Sequence, residues 1–553
     1  MLQNRNSAPP PLDIAIVGMA SHFPDAADLY DFWSNIVNGH DAIRDIGTVD
    51  PVEYWRPEDF YDPDPRAADK VYGRKAGFVP PIDFDPAGFK LPPLMLQSIS
   101  TAQLFALHVA KQAMADAGLL GAGAEKTDRD RIGVILGGSG NGNTAFSLAV
   151  RQQVPFLRQI LLNSGLSAEV AEETIERLQG LSLEWNEDSF PGFLGNVACG
   201  RIASYFDLGG TSYMVDAACA SSLAAIKAAI GELTDGSCDA VLTGGVNLEN
   251  SIFSFLCFSK TPALSKSNRS RPFDKQSDGM MLGDGVGYLV LKRLTDAERD
   301  GDRIYAVIRA LGASSDGRAK SIFAPRSEGQ VKALKRAYSQ AGLTLADIQL
   351  IEAHGTGTES GDETEIKSLI RLSEEQGIDA GHAIAIGSIK SQIGHTRCAA
   401  GAVAMMKVAL GLYHKVLPPT INVEDPTDVL AKPFYVNSLA RPWMRPAGGE
   451  LRRGALSAFG FGGTNFHVIL EEYEPETREQ TYRLNRAAEV FVFHAATRPC
   501  WRRPAVMRFR SFPARAGRLS STHIWPMAAG FLHLQHPLAS VLRPRRPNRR
   551  APC

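Results

Sequence analysis

Short apolar runs with strand character alternate along the chain with longer segments that have helical periodicity. The apolar runs in the first half are DIAIVGMA (13–20), IGVILGG (132–138), SYMVDAA (212–218), DAVLTGGV (239–246) and VGYLVLKRL (286–294). A helical segment, TAQLFALHVAKQAMADAG (101–118), lies among them. Apolar strands without polar alternation are typical of a sheet that is covered on both faces. The pattern therefore predicts an α/β architecture.

The second half of the chain repeats this order of elements. Its strand-like runs are 303–314, 348–358 and 383–391, and its helical segments are 327–342 and 398–414. We therefore predict two duplicated α/β halves, residues 12–295 and residues 296–475. Residues 1–11 are polar and proline-rich, which predicts a disordered lead-in.

The C-terminal region 476–553 has a different composition. From Val490 to Cys553 there is no Lys, Asp or Glu, although arginine is frequent. Three interpretations remain open: a basic arm that binds phosphates, a linker and tail that do not fold, and a stretch translated out of frame. Arginine without any lysine is unusual for a selected protein surface, which favours the out-of-frame interpretation over nucleic-acid binding.

Charge and cysteine usage exclude several classes of protein. The formal net charge of the 553 residues is -1, so the composition indicates no nucleic-acid or anionic membrane partner. The seven cysteines are scattered without a CxxC pair, which predicts neither a metal site nor a disulfide framework and fits a reducing cytosol. Neither a signal peptide nor an apolar run of the roughly 20 residues that a membrane helix needs is present. We therefore predict a cytoplasmic protein.

One cysteine lies where a strand pattern turns into a helix pattern, in VDAACASSLAAIKAAIGEL (215–233). Apolar residues recur there at intervals of three and four, at Leu223, Ile226, Ile230 and Leu233. Cys219 would then lie at a helix N-terminus, where the thiol pKa falls from about 8.5 to roughly 3.5–7.5 in known cases. The stretch alone is equally consistent with a nucleophile and with a buried small hydrophobe.

Two histidines and one glycine-rich loop add candidate chemistry. His354 (in EAHGTGT) and His395 (in KSQIGH) each lie at a strand end beside glycines. Neutral imidazole N–H groups there could stabilise an oxyanion or enolate and exchange protons. The loop GFGGTN brings Phe461, whose main-chain N–H could complete an oxyanion hole with that of Cys219. Taken alone, the loop is more typical of a tight turn before the last strand than of an oxyanion hole.

These segments, in this order, resemble a β-ketoacyl synthase of the type I polyketide synthase kind. The resemblance covers roughly residues 12–475 and rests on five motifs besides the opening IAIVGMASHFPDA, namely VDAACASSL, RPFDKQSDGMMLGDGVG, EAHGTGT, KSQIGH and GFGGTNFHVILEE. The segments CFSKTPALS (257–265) and SFPGFLGNVACGRIA resemble segments of the iterative synthases that make polyunsaturated fatty acids or enediyne polyenes.

The resemblance implies a thiolase-like layered αβαβα fold and a homodimer. It also implies that Cys219 accepts an acyl group from the phosphopantetheine thioester of an acyl carrier protein, so that no tightly bound cofactor is needed. Thr356 and Thr358 would contact the pantetheine, and Phe461 would act as a gate. Other synthase domains or subunits would be further partners.

The same resemblance implies roles for three residues of the second half. His354 and His395 would bind the malonyl thioester oxygen and favour decarboxylation, and Lys390 would orient and polarise that pair. Arg397 and Cys398 depart from the residues that relatives often carry after this histidine, so local packing is expected to differ there.

Two alternatives use a similar chain for different purposes. A degradative thiolase has a second cysteine in its late glycine loop, and GFGGTN has none. A catalytically silent scaffold or chain-length partner is marked by loss of the active cysteine, whereas Cys219 is present.

Overall fold

Eleven of the described strands, from both halves of the chain, form one mixed sheet, and the other five form two small sheets. The computed structural model describes residues 11–474 except 50–54, 122, 123, 125–127, 141–148, 181, 183, 319–323, 379, 380, 382 and 447. The predicted lead-in, apart from Pro11, and the region 476–553 lie outside these residues. The strands are β1 (Ile14–His22), β2 (Ile43–Asp45), β3 (Lys75–Gly77), β4 (Ile132–Gly137), β5 (Ser212–Val215), β6 (Ala240–Asn247), β7 (Leu282–Gly283), β8 (Gly285–Arg293), β9 (Ala306–Ser315), β10 (Leu350–Glu352), β11 (Ile384–Gly387), β12 (Val416–Leu417), β13 (Phe434–Val436), β14 (Arg441–Pro442), β15 (Arg453–Gly460) and β16 (Thr464–Glu471). The two small sheets are β2-β3-β7 and β12-β14.

Helices connect and cover these strands. They are α1 (Leu29–Asn38), α2 (Pro57–Phe60), α3 (Thr101–Asp116), α4 (Val154–Asn163), α5 (Ala168–Gly180), α6 (Ser189–Phe193), α7 (Val197–Phe206), α8 (Ser221–Thr234), α9 (Ile252–Lys260), α10 (Leu294–Asp300), α11 (Ser327–Ala341), α12 (Glu359–Glu375), α13 (Lys390–Ile393) and α14 (Ala400–His414). Within the ranges given above, no helix is both long enough and apolar enough to cross a membrane.

The large sheet contains the same strand arrangement twice. Its order is β13-β11-β10-β15-β16-β9-β1-β8-β6-β4-β5, and β1 and β9 pair over three residues where the two halves meet. In the first half the order from the centre outwards is β1-β8-β6-β4-β5, and in the second half it is β9-β16-β15-β10-β11, with β13 beyond β11. The first strand of each half, β1 or β9, thus lies beside the last strand, β8 or β16, and is antiparallel to it. The directions of the corresponding pairs also agree. The predicted duplication is therefore confirmed.

Two helices at the centre of the molecule join the halves. Helices α8 and α14 belong to one apolar cluster with strands of both halves, whereas α3 and α7 cover the first half and α11 and α12 the second. This is the predicted αβαβα layering. The amphipathic pattern predicted for α8 understates its burial, since Ser222, Ala225 and Ala229 are as buried as Leu223. Small residues allow the close approach, and Ala402 N–H donates to Ser222 Oγ at 2.9 Å.

Equivalent 3-10 turns precede the two central helices. The turn Ala218–Ala220 follows β5, the third large-sheet strand of the first half, and the turn Arg397–Ala399 follows β11 and α13 in the second. Each turn begins with a non-glycine residue in the left-handed region, with φ 50° at Ala218 and 48° at Arg397. Cys219 and Cys398 thus occupy equivalent positions.

A buried ion pair connects the central helix α14 to the end of β10. Lys407 Nζ lies 2.6 Å from Glu352 Oε2, with side chains 1% and 0% exposed. Glu352 Oε1 also accepts the N–H of Ile389, at the start of the segment that carries Lys390. Because neither group reaches water, each charge depends on the other.

We expect Lys407→Met to lower the free energy of unfolding by about 3–5 kcal/mol, because it leaves Glu352 buried without its partner. The matched control is Lys275→Met, which removes an exposed pair with Asp425 and Asp428 and is expected to lower the free energy of unfolding far less, because water screens exposed charges. Urea unfolding monitored by circular dichroism measures both. Similar losses of unfolding free energy in the two variants would show that the buried pair stabilises the fold no more than the exposed pair does.

Candidate active site

Cys219 lies in the turn between β5 and α8, as the strand-turn-helix pattern predicts. The turn is fixed by Ser221, whose Oγ donates to Ala218 O at 2.6 Å and accepts from Ala217 N–H at 2.9 Å. The Cys219 side chain is 7% exposed. The backbone therefore holds the sulfur in one place, inside the protein rather than on its surface.

The electrostatic environment of this thiol differs from the sequence prediction. Burial first and the neighbouring Cys398 second raise the pKa of Cys219 to about 11, although the positive charges of Lys390 and Arg397 and the N–H of Phe461 act to lower it. The predicted lowering by a helix N-terminus is therefore wrong, because removal of water outweighs these favourable groups. At neutral pH the resting protein carries a thiol, and formation of the thiolate requires a proton acceptor.

His354 and His395 meet although they follow different strands. Their ring centroids are 5.4 Å apart and their planes are inclined by 83°. Burial lowers the pKa of both imidazoles well below the usual value, and the charge of Lys390 lowers it further. Both rings are therefore neutral near pH 7. Neutral imidazoles donate hydrogen bonds without contributing a positive charge.

The hydrogen bonds of His395 determine which ring nitrogen carries its proton. Arg397 N–H donates to His395 Nδ1 at 3.0 Å, so the proton of the neutral ring is on Nε2. His395 Nε2 and His354 Nδ1 are buried, and neither has a hydrogen-bond partner among the described residues. The site thus holds a preorganised N–H donor, from His395, that is free to bind a substrate oxygen.

Lys390 lies beside this pair but contacts the backbone. Its Nζ donates to His354 O at 2.5 Å, and the residue is 3% exposed. Two carboxylates that sequence analysis missed hold the same loop: Glu365 accepts the N–H groups of His354 and Gly355, and Asp362 accepts that of Gly357. Their signal was GDETE, directly after the glycine turn. Together these groups set the position of the His354 ring.

Thr356 and Thr358 lie on the loop between β10 and α12. Their Oγ1 atoms are 2.9 Å apart, and both residues are half-buried. Thr358 is the N-cap residue of α12 but its side chain caps no helix N–H. Ser277 Oγ donates to Gly357 O at 2.6 Å and fixes the loop between them. The two hydroxyls thus hydrogen-bond each other and neither is used to cap the helix.

The turn between β15 and β16 approaches the nucleophile. Phe461 N–H hydrogen-bonds the Cys219 sulfur, while the Phe461 side chain is 45% exposed. A Cβ at Gly460 would lie 2.4 Å from Ala217 O, so only glycine permits this approach. The turn that carries Phe461 therefore lies beside the turn that carries Cys219. Within the part of the chain described, no group of three or more His, Cys, Asp or Glu side chains could hold a metal ion.

The sequence matches the models of one known protein family over most of the described residues. Residues 12–297 match the beta-ketoacyl synthase N-terminal domain, and residues 305–424 match the beta-ketoacyl synthase C-terminal domain. One polyunsaturated fatty acid synthase polypeptide of Thraustochytrium sp. is 40% identical over 482 residues, which cover 86% of this chain and 17% of that protein. Polyketide synthase PksL of Bacillus subtilis is 33% identical over 489 residues, 87% of this chain and 10% of that protein. The chain thus spans a small part of these relatives.

Solved structures show the same likeness. The oxazolomycin ketosynthase domain OzmH KS7 of Streptomyces albus JA3453 is similar with a TM-score of 0.72 and 33% identity, over 84% of this chain and 75% of that chain. The ketosynthase from module 6 of the bacillaene synthase of Bacillus subtilis 168 is similar with a TM-score of 0.70 and 32% identity, over 84% and 72% of the two chains.

Proposed function

Because this chain belongs to the β-ketoacyl synthase family, we propose that it catalyses the decarboxylative condensation of an acyl group on Cys219 with malonyl-acyl carrier protein. It has the thiolase-like fold of the ketosynthase domains found in polyketide and polyunsaturated fatty acid synthases. The observation that carries the proposal is that the turn of the buried Cys219 packs against the turn Arg397–Ala399, which follows His395 in the chain. The neutral ring of His395 meets that of His354.

The first half-reaction loads Cys219. The sulfur attacks the thioester carbonyl of an acyl-phosphopantetheine, its carbon–sulfur bond forms, and the carrier thiol leaves with the proton that Cys219 loses. Because His395 Nδ1 already accepts a hydrogen bond, the free nitrogen of His354 is the better acceptor for that proton. The N–H groups of Cys219 and Phe461 would stabilise the tetrahedral oxyanion, each worth about 2.7–4 kcal/mol of barrier.

The second half-reaction forms the carbon–carbon bond. The malonyl carboxyl–carbon bond breaks, CO2 leaves, and its electron pair becomes an enolate that is stabilised at oxygen by the N–H groups of His395 and His354. The enolate carbon then attacks the acyl carbonyl on Cys219, the bond between that carbonyl carbon and the cysteine sulfur breaks, and the sulfur takes up a proton from solvent. Neutral donors suit this step because negative charge develops on the thioester oxygen only as CO2 departs.

The remaining residues would guide the carrier-bound substrates. Thr356 and Thr358 would hydrogen-bond the amides of the pantetheine arm, and Lys390 would hold the loop that carries His354. Phe461, half-exposed on a turn with two glycines of positive φ, would move to admit the acyl chain. The partner implied is an acyl carrier protein, in trans or as another domain of the synthase.

We also propose that the enzyme works as a homodimer. Strand β5 is the last strand of the large sheet, so one of its edges is unpaired within the described chain. Helices α4 and α5 expose Phe156, Ile160 and Val170 to solvent. A free sheet edge and an apolar patch are features that association commonly covers.

Mass spectrometry of the protein after incubation with an acyl thioester tests the proposed function. We expect one added acyl group on the Cys219 peptide, followed by its loss as a β-ketoacyl product and CO2 when malonyl-acyl carrier protein is supplied. A protein that remains unmodified under both conditions would instead be the silent scaffold. Neither that alternative nor a thiolase is favoured, since Cys219 and both histidines are in place.

A further inference from the structure

The side chain of Arg397 occupies a buried polar pocket behind the catalytic residues. It is 7% exposed and makes three hydrogen bonds: Nε to Asn247 Oδ1 at 2.7 Å, Nη1 to Asn250 Oδ1 at 3.0 Å and Nη2 to Asp284 Oδ1 at 3.2 Å. Asp284 is 2% exposed and also accepts the N–H of Asn250. A buried arginine held at three points has one position available to it.

The backbone of the same residue contacts the active site. Arg397 has a φ of 48°, a conformation that costs energy for a non-glycine residue, and in this conformation its N–H donates to His395 Nδ1. The following residue, Cys398, lies in the 3-10 turn that packs against the turn of Cys219. One residue thus connects a buried charge with both halves of the catalytic site.

We propose that Arg397 is a positioning residue for the condensation: its guanidinium, held by Asp284, fixes the turn that orients His395 and supplies positive charge behind the Cys219 sulfur. The inference rests on the proposed function of these two groups. It assigns to Arg397 a role that the surrounding asparagines cannot perform, because they carry no charge.

The charges around the Cys219 thiol determine whether each substitution favours or opposes the thiolate. Arg397 and Lys390 are positive and favour the thiolate, Cys398 opposes it, and the rings of His354 and His395 are neutral near pH 7. Behind Arg397 lie the carboxylates of Asp284 and Glu249, and burial raises the pKa of Asp284 to about 7. Above pH 7 Asp284 is therefore mostly ionised and partly cancels the charge of Arg397.

Peptide-resolved alkylation by iodoacetamide at pH 8 tests this without any carrier substrate. We expect Arg397→Gln to slow alkylation of Cys219 by about threefold to tenfold, because a tenfold change in thiolate corresponds to one pKa unit. Asp284→Asn is expected to accelerate it by a similar factor, since Arg397 then acts without its counter-ion. Exposed Cys257 serves as the internal control in each protein, and its rate should not change.

A third variant separates charge from geometry. Arg397→Lys keeps the charge but not the three-point attachment, so alkylation should stay near the wild-type rate while CO2 release from malonyl-acyl carrier protein falls several-fold. The proposal would be overturned if the rate of Cys219 alkylation changed in the same direction in Arg397→Gln and Asp284→Asn, or changed in neither variant. If Arg397→Gln does not fold, Asp284→Asn alone decides, since only acceleration supports the proposal. The expected alkylation pattern in a protein without condensing activity would overturn the proposed function and leave only the effect of Arg397 on the Cys219 thiol standing.

Discussion

Cys219→Ala is expected to abolish acyl loading and to reduce condensation by at least about 10³-fold, because no other group can form the thioester intermediate at this position. The fold should survive, since alanine already occupies Ala218 and Ala220 on either side and the hydrogen bonds of Ser221 in this turn do not involve the sulfur. The turn itself is fixed by Ser221.

Intact-protein mass spectrometry and product formation from an acyl thioester measure this effect. The matched control is Cys257→Ala, which removes an exposed cysteine of helix α9 and should load and condense like the wild type. Persistent acylation of the Cys219→Ala protein, located on Cys398 for example, would place the nucleophile elsewhere and contradict the mechanism.

His395→Ala and His354→Ala are each expected to lower malonyl decarboxylation by about 10²–10³-fold, the usual effect of removing one donor from a developing oxyanion. His395 should matter only for the second half-reaction, because its Nδ1 is occupied by Arg397 N–H and its Nε2–H can only donate. His354 should affect loading as well, though less than decarboxylation, because its ring is the proposed proton acceptor for the thiol.

Release of CO2 from malonyl-acyl carrier protein and acylation of Cys219, measured separately on each variant, distinguish these roles. His108→Gln is a suitable control, since His108 lies on helix α3 and contacts Gln112. Equal loss of both half-reactions in His395→Ala would show that this ring is not a donor reserved for the enolate.

The elements and the reactive residues were predictable because their signals are local. Strands such as β4 and β6 are short apolar runs, and helix α3 begins and ends within two residues of its predicted bounds. Cys219, His354 and His395 lie in motifs whose glycines and small residues mark close approach of backbone. Each of these signals is contained in fewer than about 20 consecutive residues, the range over which periodicity and turn chemistry operate.

The remaining features depend on partners that are distant in the sequence. The pKa of Cys219 follows from how completely water is removed, and no local pattern reports the burial of a turn between two central helices. Arg397 finds Asp284, and Lys407 finds Glu352, only when the halves assemble. For the same reason the pattern of α8 indicated one apolar face, whereas the structure packs protein around most of the helix.

The equivalence of the turns at Cys219 and Cys398 has an evolutionary consequence. A half-size ancestor that paired with its own copy would have carried identical side chains at both turns, and each substitution would have altered the two together. Joining two copies in one polypeptide removes that symmetry, so one turn is free to keep a reactive sulfur while its twin specialises in holding an imidazole. Gene fusion thus allows the two equivalent turns to take different chemical roles, one carrying the cysteine nucleophile and the other orienting a histidine.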